Sequence, residues 1–167
     1  MSILSCWKYF KGIFRHKFWV FIYCVKLKTP LRVALFHDMS KYSFKEFFVY
    51  VDNFYNKDGT KKKVRDSNGA YDTNLQSDKF KSGWINHQRN KHHWQAWCNI
   101  GDKGIITAID MPEVYIREMI ADWCGAQRQE KGEPIPLTWY SKNKHNMVLT
   151  DNSDKLIQKI ILDNFEK

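Results

Sequence analysis

Apolar and aromatic residues in this chain recur at intervals of three and four and almost nowhere alternate one by one. That spacing commits the fold to helices that bury one face each, and it leaves no convincing strand signal. Residues from about Leu4 to Lys28 read as one long aromatic-rich helix or two shorter ones. Thr29-Pro30 restarts the chain, with Thr29 as N-cap and Pro30 in the first helical position, and Leu31, Val33, Ala34 and Leu35 lead into His37-Asp38. Ser43-Phe-Lys-Glu46 has the capping-box form. Beyond it, Phe44, Phe47, Phe48, Val51, Phe54 and Tyr55 are spaced to make one buried face. A further helical pattern runs from Lys79 to His87, and Asn90 is placed to cap a turn carrying His92, His93, Trp94 and Trp97. After a connection with Gly101 and Gly104, Asp110-Met-Pro112 opens a strong helix containing Val114, Tyr115, Ile116, Met119, Ile120 and Trp123. Gly132, Pro134 and Pro136 break the pattern. A short helix near Thr138–Lys144 and an amphipathic one from about Asn152 to Phe165 follow.

The expected fold class is therefore all-α: a compact helical bundle, read as one domain over residues 1–167. One stretch interrupts it. Residues 56–78 are polar, hold the turn signals Asp58-Gly59 and Asn68-Gly69, and read as a long loop or short hairpin. Its Lys61, Lys62, Lys63 and Arg65 suit either a solvated insertion or a basic lid over a phosphate-bearing ligand.

Charge narrows the function classes. Of the net +9, residues 1–36 supply +7 through five lysines and two arginines and contain no acid. The rest of the chain is close to neutral, so this is not a uniformly basic nucleic-acid coat. The longest strongly apolar run, Phe18–Val25, has eight residues, against the roughly 20 that a helix needs to cross a bilayer. No transmembrane segment and no cleavable signal is expected. Cys6, Cys24, Cys98 and Cys124 lack a C-x-x-C pair, which points to reduced thiols, a cytoplasmic location and no zinc-thiolate site.

The chemistry is carried by ionisable groups inside apolar helices. His16 stands among Phe14, Phe18 and Trp19; His37-Asp38 ends an apolar helix with Lys41 close behind; His87 and the pair His92-His93 follow; Asp122 sits in an otherwise apolar helix. Such groups are costly to bury unless they are paired or bound to a metal. Side chains converging from separate helices are what an all-helical metal site requires.

The order His, His-Asp, further His, Asp resembles the HD superfamily of metal-dependent phosphohydrolases, and His37-Asp-Met-Ser-Lys41 is similar to the H-D-x-x-K form of several of its branches. Three stretches more closely resemble a small family of bacterial and phage proteins known only as a domain of unknown function. They are His37–Phe47, Trp84–Trp94 and Met111–Trp123. The superfamily resemblance implies an HD-domain-like bundle in which His16, His37, Asp38 and Asp122 hold a first divalent ion. A second ion would be bridged by Asp38 and completed by His87 with His92 or His93, His92 being preferred. Mixed imidazole and carboxylate ligands suit Mn, Fe, Co, Ni or Mg. The resemblance further implies that Lys41 faces a phosphate oxygen, and that Glu118, one turn before Asp122, steadies a ligand or a water.

The expected function is a phosphohydrolase acting on a nucleotide or another small phosphoester through a metal-activated water. The alternative is a non-catalytic HD scaffold that binds nucleic acid or serves as a phage accessory protein, its basic residues interleaved with Trp7, Tyr9, Phe10 and Phe14. A third reading attaches the N-terminal helix to a membrane surface. A core helix with a basic solvated side is the plainer account of that segment.

Overall fold

In the computed structural model, which describes residues 1–64 and 76–166, the chain is mostly helical and belongs to the all-α class. The helices are α1 (Ile3–Lys26), α2 (Leu31–Phe36), α3 (Phe44–Phe54), α4 (Asp78–His87), α5 (Glu113–Lys131), α6 (Pro136–Asn143) and α7 (Asp151–Phe165), with short 3-10 turns at Met39–Tyr42, Trp94–Trp97 and Lys144–Asn146. The described residues form two compact units interleaved along the chain. One comprises Met1–Arg15 with Asp38–His87, the other His16–His37 with Gln88–Lys167.

In the first unit, α3 packs on α4. Tyr9, Ile13, Tyr50, Val51 and Phe80 form its buried core, with Tyr9 edge-on to Phe47 at 5.2 Å and Tyr50 edge-on to Phe80 at 5.1 Å. The expected face of α3 is buried in part: Val51 is inside, and Phe47, Phe54 and Tyr55 pack on the core. Phe44, however, is 84% exposed and lies against Phe48 with the rings tilted, while Glu46, Tyr50 and Asn53 go inside. A polar network recruits Glu46 inward and turns the outer phenylalanines to solvent. The stretch after α3 begins as a small hairpin: Tyr55 bridges Lys61, and Asn56 N–H donates to the Thr60 carbonyl at 2.8 Å. Gly59, at φ +79°, takes a conformation that glycine tolerates best. Arg65 and the Asn68-Gly69 turn lie outside the described residues.

In the second unit, α5, α6 and α7 pack together with the C-terminal half of α1. Val20, Cys24, Leu27, Ile116, Ile120 and Ile157 are wholly buried there. Thr150 caps α7 by accepting from Ser153 N–H, and the Ser153 hydroxyl accepts from Met111 N–H at 3.0 Å. The start of α7 thereby fixes the entry to α5. Burial pushes the Cys24 thiol up to about 11 and the Cys124 thiol up to about 12, as expected of packed, unreactive sulfurs.

Two local expectations are corrected. Strands do form: Cys98–Ile100 and Ile106–Ala108 pair antiparallel, closed by a turn in which Gly104 adopts φ +73°. Each strand is three residues long, too short for a two-residue alternation to register in the sequence. Pro30, not Thr29, caps α2, with φ −54° and ψ 134°, and the Thr29 side chain is buried instead. The long helix α1 is continuous, and the plain account of it is incomplete. Its outer side carries exposed aromatics as well as the lysines.

Gly125 controls how closely α5 approaches α1. A Cβ built there would lie 2.6 Å from Val20 Cγ2 and 2.9 Å from the Val20 backbone nitrogen. Backbone atoms cannot yield as a side-chain tip can, so a methyl group must push the helices apart. His16 and Asp122 lie about one turn from this contact on α1 and α5. Gly125→Ala is therefore expected to destabilise the chain by about 1–3 kcal/mol in chemical denaturation and to weaken any ligand shared by His16 and Asp122. Unchanged stability would show that the approach is not set here.

Candidate metal centre

The second unit brings five of its ionisable side chains together. His16 projects from α1, His37 from the end of α2, His92 from the turn before Trp94–Trp97, and Glu118 and Asp122 from successive turns of α5. His37 is not helical. It ends α2 in an extended conformation, φ −50° and ψ 131°, and Asp38 follows in the left-handed region at φ +55°. Neighbours in a helix would point about 100° apart; a sharp bend separates these two instead. Aspartate is among the few residues that tolerate this conformation. Lys17 holds the bend from α1, donating to the carbonyls of His37 at 2.6 Å and Leu35 at 3.1 Å. A cation at a helix C-terminus also offsets its unsatisfied carbonyls.

Glu118 and Asp122 treat the imidazoles differently. Glu118 Oε1 lies 3.0 Å from His37 Nδ1 and 3.4 Å from His92 Nδ1. Asp122 Oδ1 lies 3.0 Å from His16 Nε2 and 3.6 Å from His37 Nε2. Burial raises the pKa of both carboxyls, yet the histidine contacts outweigh it. Glu118 ends below the usual carboxylate range and Asp122 well below it. An ionised Glu118 can only accept, so the Nδ1 atoms facing it must donate. In a neutral ring the lone pair then sits on Nε2, the nitrogen that can bind a metal. A carboxylate fixing ring tautomer and orientation in this way is how metal-binding histidines are commonly supported. Ligand atoms of His16, His37 and Asp122 lie within 4.8 Å of one another, as do those of His37, His92 and Glu118.

The first unit repeats the device. His87, almost fully buried at the end of α4, has its Nδ1 3.1 Å from Glu46 Oε2 and its Nε2 3.5 Å from Asp38 Oδ1. Glu46 also accepts from Asn86 Nδ2 at 2.8 Å and from the Ser40 hydroxyl at 3.1 Å. These partners bring its carboxyl below the ordinary value although burial works the other way. Lys41 Nζ lies 2.5 Å from Asp38 Oδ2.

The sequence-derived residues therefore fall into two sets. His16, His37, His92, Glu118 and Asp122 are gathered in the second unit, and Asp38, Lys41 and His87 in the first. Of the adjacent pair, His92 is buried and meets Glu118, while His93 is partly exposed and lies against the His92 ring at a tilt, with centroids 4.2 Å apart. Glu46 is the residue that sequence reading missed. Local chemistry reads it as the acid of a capping box, but the Ser43 side chain makes no cap bond, and the glutamate turns inward. The only available hint was an acid at helical spacing from Tyr50 and Asn53.

An all-α protein with three imidazoles and two ionised carboxylates gathered under its helices has the donor set of a divalent-metal centre. The chain belongs to a family of unknown function, DUF5662, whose model matches residues 5–163. No curated protein and no solved structure matches it.

Burial and the Lys41 charge hold the His87 pKa below its ordinary value, with Asp38 and Glu46 opposing. As pH falls through about 6.5, the unfolded chain binds this proton before the folded one does, so stability declines toward the lower folded value. In chelator-treated protein, the drop in Tm between about pH 7.5 and 5.5 should be smaller in His87→Gln than in the wild type; equal slopes would remove His87 from the account. Glu46→Gln should cost about 1–3 kcal/mol in denaturant unfolding, because it leaves His87, Asn86 and Ser40 with a poorer buried acceptor.

Proposed function

We propose that this protein is a metal-dependent phosphohydrolase acting on a nucleotide or another small phosphoester. The observation that carries the reading is the convergence of His16 Nε2, His37 Nε2 and Asp122 Oδ1, with Glu118 holding the opposite nitrogen of His37. The donor set fits Mn, Fe, Co, Ni or Mg, and the sequence order of these residues resembles the HD superfamily.

His16, His37 and Asp122 would hold a first ion. Asp38 joins them by its place in the chain, directly after His37. His87, whose Nε2 faces Asp38 within the first unit, would serve a second ion with Asp38, and the sequence pattern adds His92. A divalent ion supplies Lewis acidity, lowering the pKa of water and offsetting charge on a phosphoryl group. The chain's own residues do the rest. Glu118 and Glu46 accept from the Nδ1 side of His37, His92 and His87 and fix the orientation of each ring, so that Nε2 is the atom that would meet an ion. Lys41, ion-paired with Asp38, carries the positive charge nearest that carboxylate and would turn to a phosphate oxygen. The acid-free N-terminal segment contributes a positive field that favours an anionic substrate.

Protein purified without chelator and loaded with Mn, Fe or Ni should contain at least one equivalent of metal by elemental analysis. His37→Ala and Asp122→Asn should lose it, and Glu118→Gln should weaken binding by about ten- to a hundredfold. Metal-loaded wild type should release phosphate, or a monoester, from at least one member of a panel of nucleoside mono-, tri- and cyclic phosphates. Absence of stoichiometric metal under all three loadings would sink the reading; bound metal without turnover would leave a metal-binding protein that is not this enzyme.

A further inference from the structure

The helix α1 has two apolar sides. Its inner side carries Tyr9, Ile13, Val20 and Cys24, all buried, together with His16. Its outer side carries Ile3, Trp7, Phe14, Phe18, Ile22 and Val25, spaced by three, four or seven residues and therefore aligned along one stripe. All six are exposed; Trp7 at 57%, Phe14 at 66% and Phe18 at 52% present ring surface that a solvated helix would replace with polar groups. The stripe runs nearly the full 24 residues of the helix, about 36 Å at 1.5 Å per residue. Lys8, Lys11, Arg15 and Lys26 lie within or along one edge of it, and no acid occurs before Asp38.

What covers such a face is decided by its charge. A second copy of this chain would bring another acid-free segment of charge +7 against the first, with no carboxylate to receive the lysines. A nucleic acid would satisfy the charges, but Ile3, Ile22 and Val25 offer no ring for base stacking and would stay wet. A lipid surface with anionic headgroups satisfies both halves, since acyl chains accept the apolar stripe and headgroup phosphates accept the lysine edge. Among the described residues no helix is long and apolar enough to cross a membrane, so α1 would lie in the interface and not span it. We propose that the outer face of α1 is a docking surface for an anionic lipid bilayer, with the aromatic stripe buried at the headgroup boundary. The inner face, with His16, is turned away from the lipid.

The test is cosedimentation of the full chain with vesicles. Wild type should pellet with phosphatidylcholine vesicles containing about one third phosphatidylglycerol at low salt. It should bind pure phosphatidylcholine at least about tenfold more weakly, and raised salt should release it. Phe14→Glu/Phe18→Glu alters two exposed positions and should keep its far-UV circular dichroism while losing vesicle affinity by at least about tenfold. Lys8→Gln/Lys11→Gln/Arg15→Gln, which leaves the stripe intact, should lose the preference for anionic lipid. The proposal is overturned if wild type ignores anionic vesicles at low salt, or if the folded Phe14/Phe18 variant binds them as well as wild type does. It is equally overturned if wild type is a dimer that this variant dissociates without any vesicle binding, or if salt-sensitive binding to single-stranded DNA occurs and vesicle binding does not.

Discussion

Imidazoles buried next to carboxylates are tolerable only when each ring nitrogen facing an acid has a defined role, and the described residues meet this requirement with one device used twice. Glu118 takes the Nδ1 side of His37 and His92, and Glu46 takes the Nδ1 side of His87. Without those acceptors the rings would pay the cost of an unsatisfied buried polar group or would rotate to find water. With them in place, Nε2 of His37 lies 3.6 Å from Asp122 Oδ1 and Nε2 of His87 lies 3.5 Å from Asp38 Oδ1. The backbone is arranged around this need. The α2 helix stops at Phe36, Asp38 enters the left-handed region, and Lys17 pins the carbonyls of the bend.

Helix approach is the second constraint. His16 and Asp122 stand on α1 and α5, with their tips 3.0 Å apart, about one turn from where the backbones of the two helices approach closely. Gly125 permits that approach by offering no Cβ to Val20. A centre built from side chains on helices is only as well placed as the packing between the helices, so a glycine with no chemistry of its own bears on the ligands one turn away. The capping of α7 by Thr150, and its bond through Ser153 to Met111, extends this control to the start of α5.

The helix α1 serves two surroundings at once. Inward, it contributes to the cores of both units and carries His16. Outward, it shows an aromatic stripe edged by lysines. The same three-and-four spacing that marks a core helix also produced the second stripe, because in a sequence so rich in aromatics two faces can satisfy the pattern together.

Much of this was legible in the amino-acid sequence by itself. Helical periodicity, with Pro and Gly at the breaks, determined an all-α fold and the extents of α1, α5, α6 and α7 to within a residue or two. The resemblance to the HD superfamily implied that His16, His37 and Asp122 share a site, but it set His92 beside His87 and gave no sign of its contact with Glu118. Tertiary structure decided the rest. It turned Glu46 inward where local chemistry read a capping box, and rotated Phe44 and Phe48 outward in exchange. It bent the chain between His37 and Asp38, and made Gly125 a contact point between helices. Each of these depends on what a side chain meets from a distant part of the chain. Local spacing determines which residues share a face, but only packing determines which face is buried and against what.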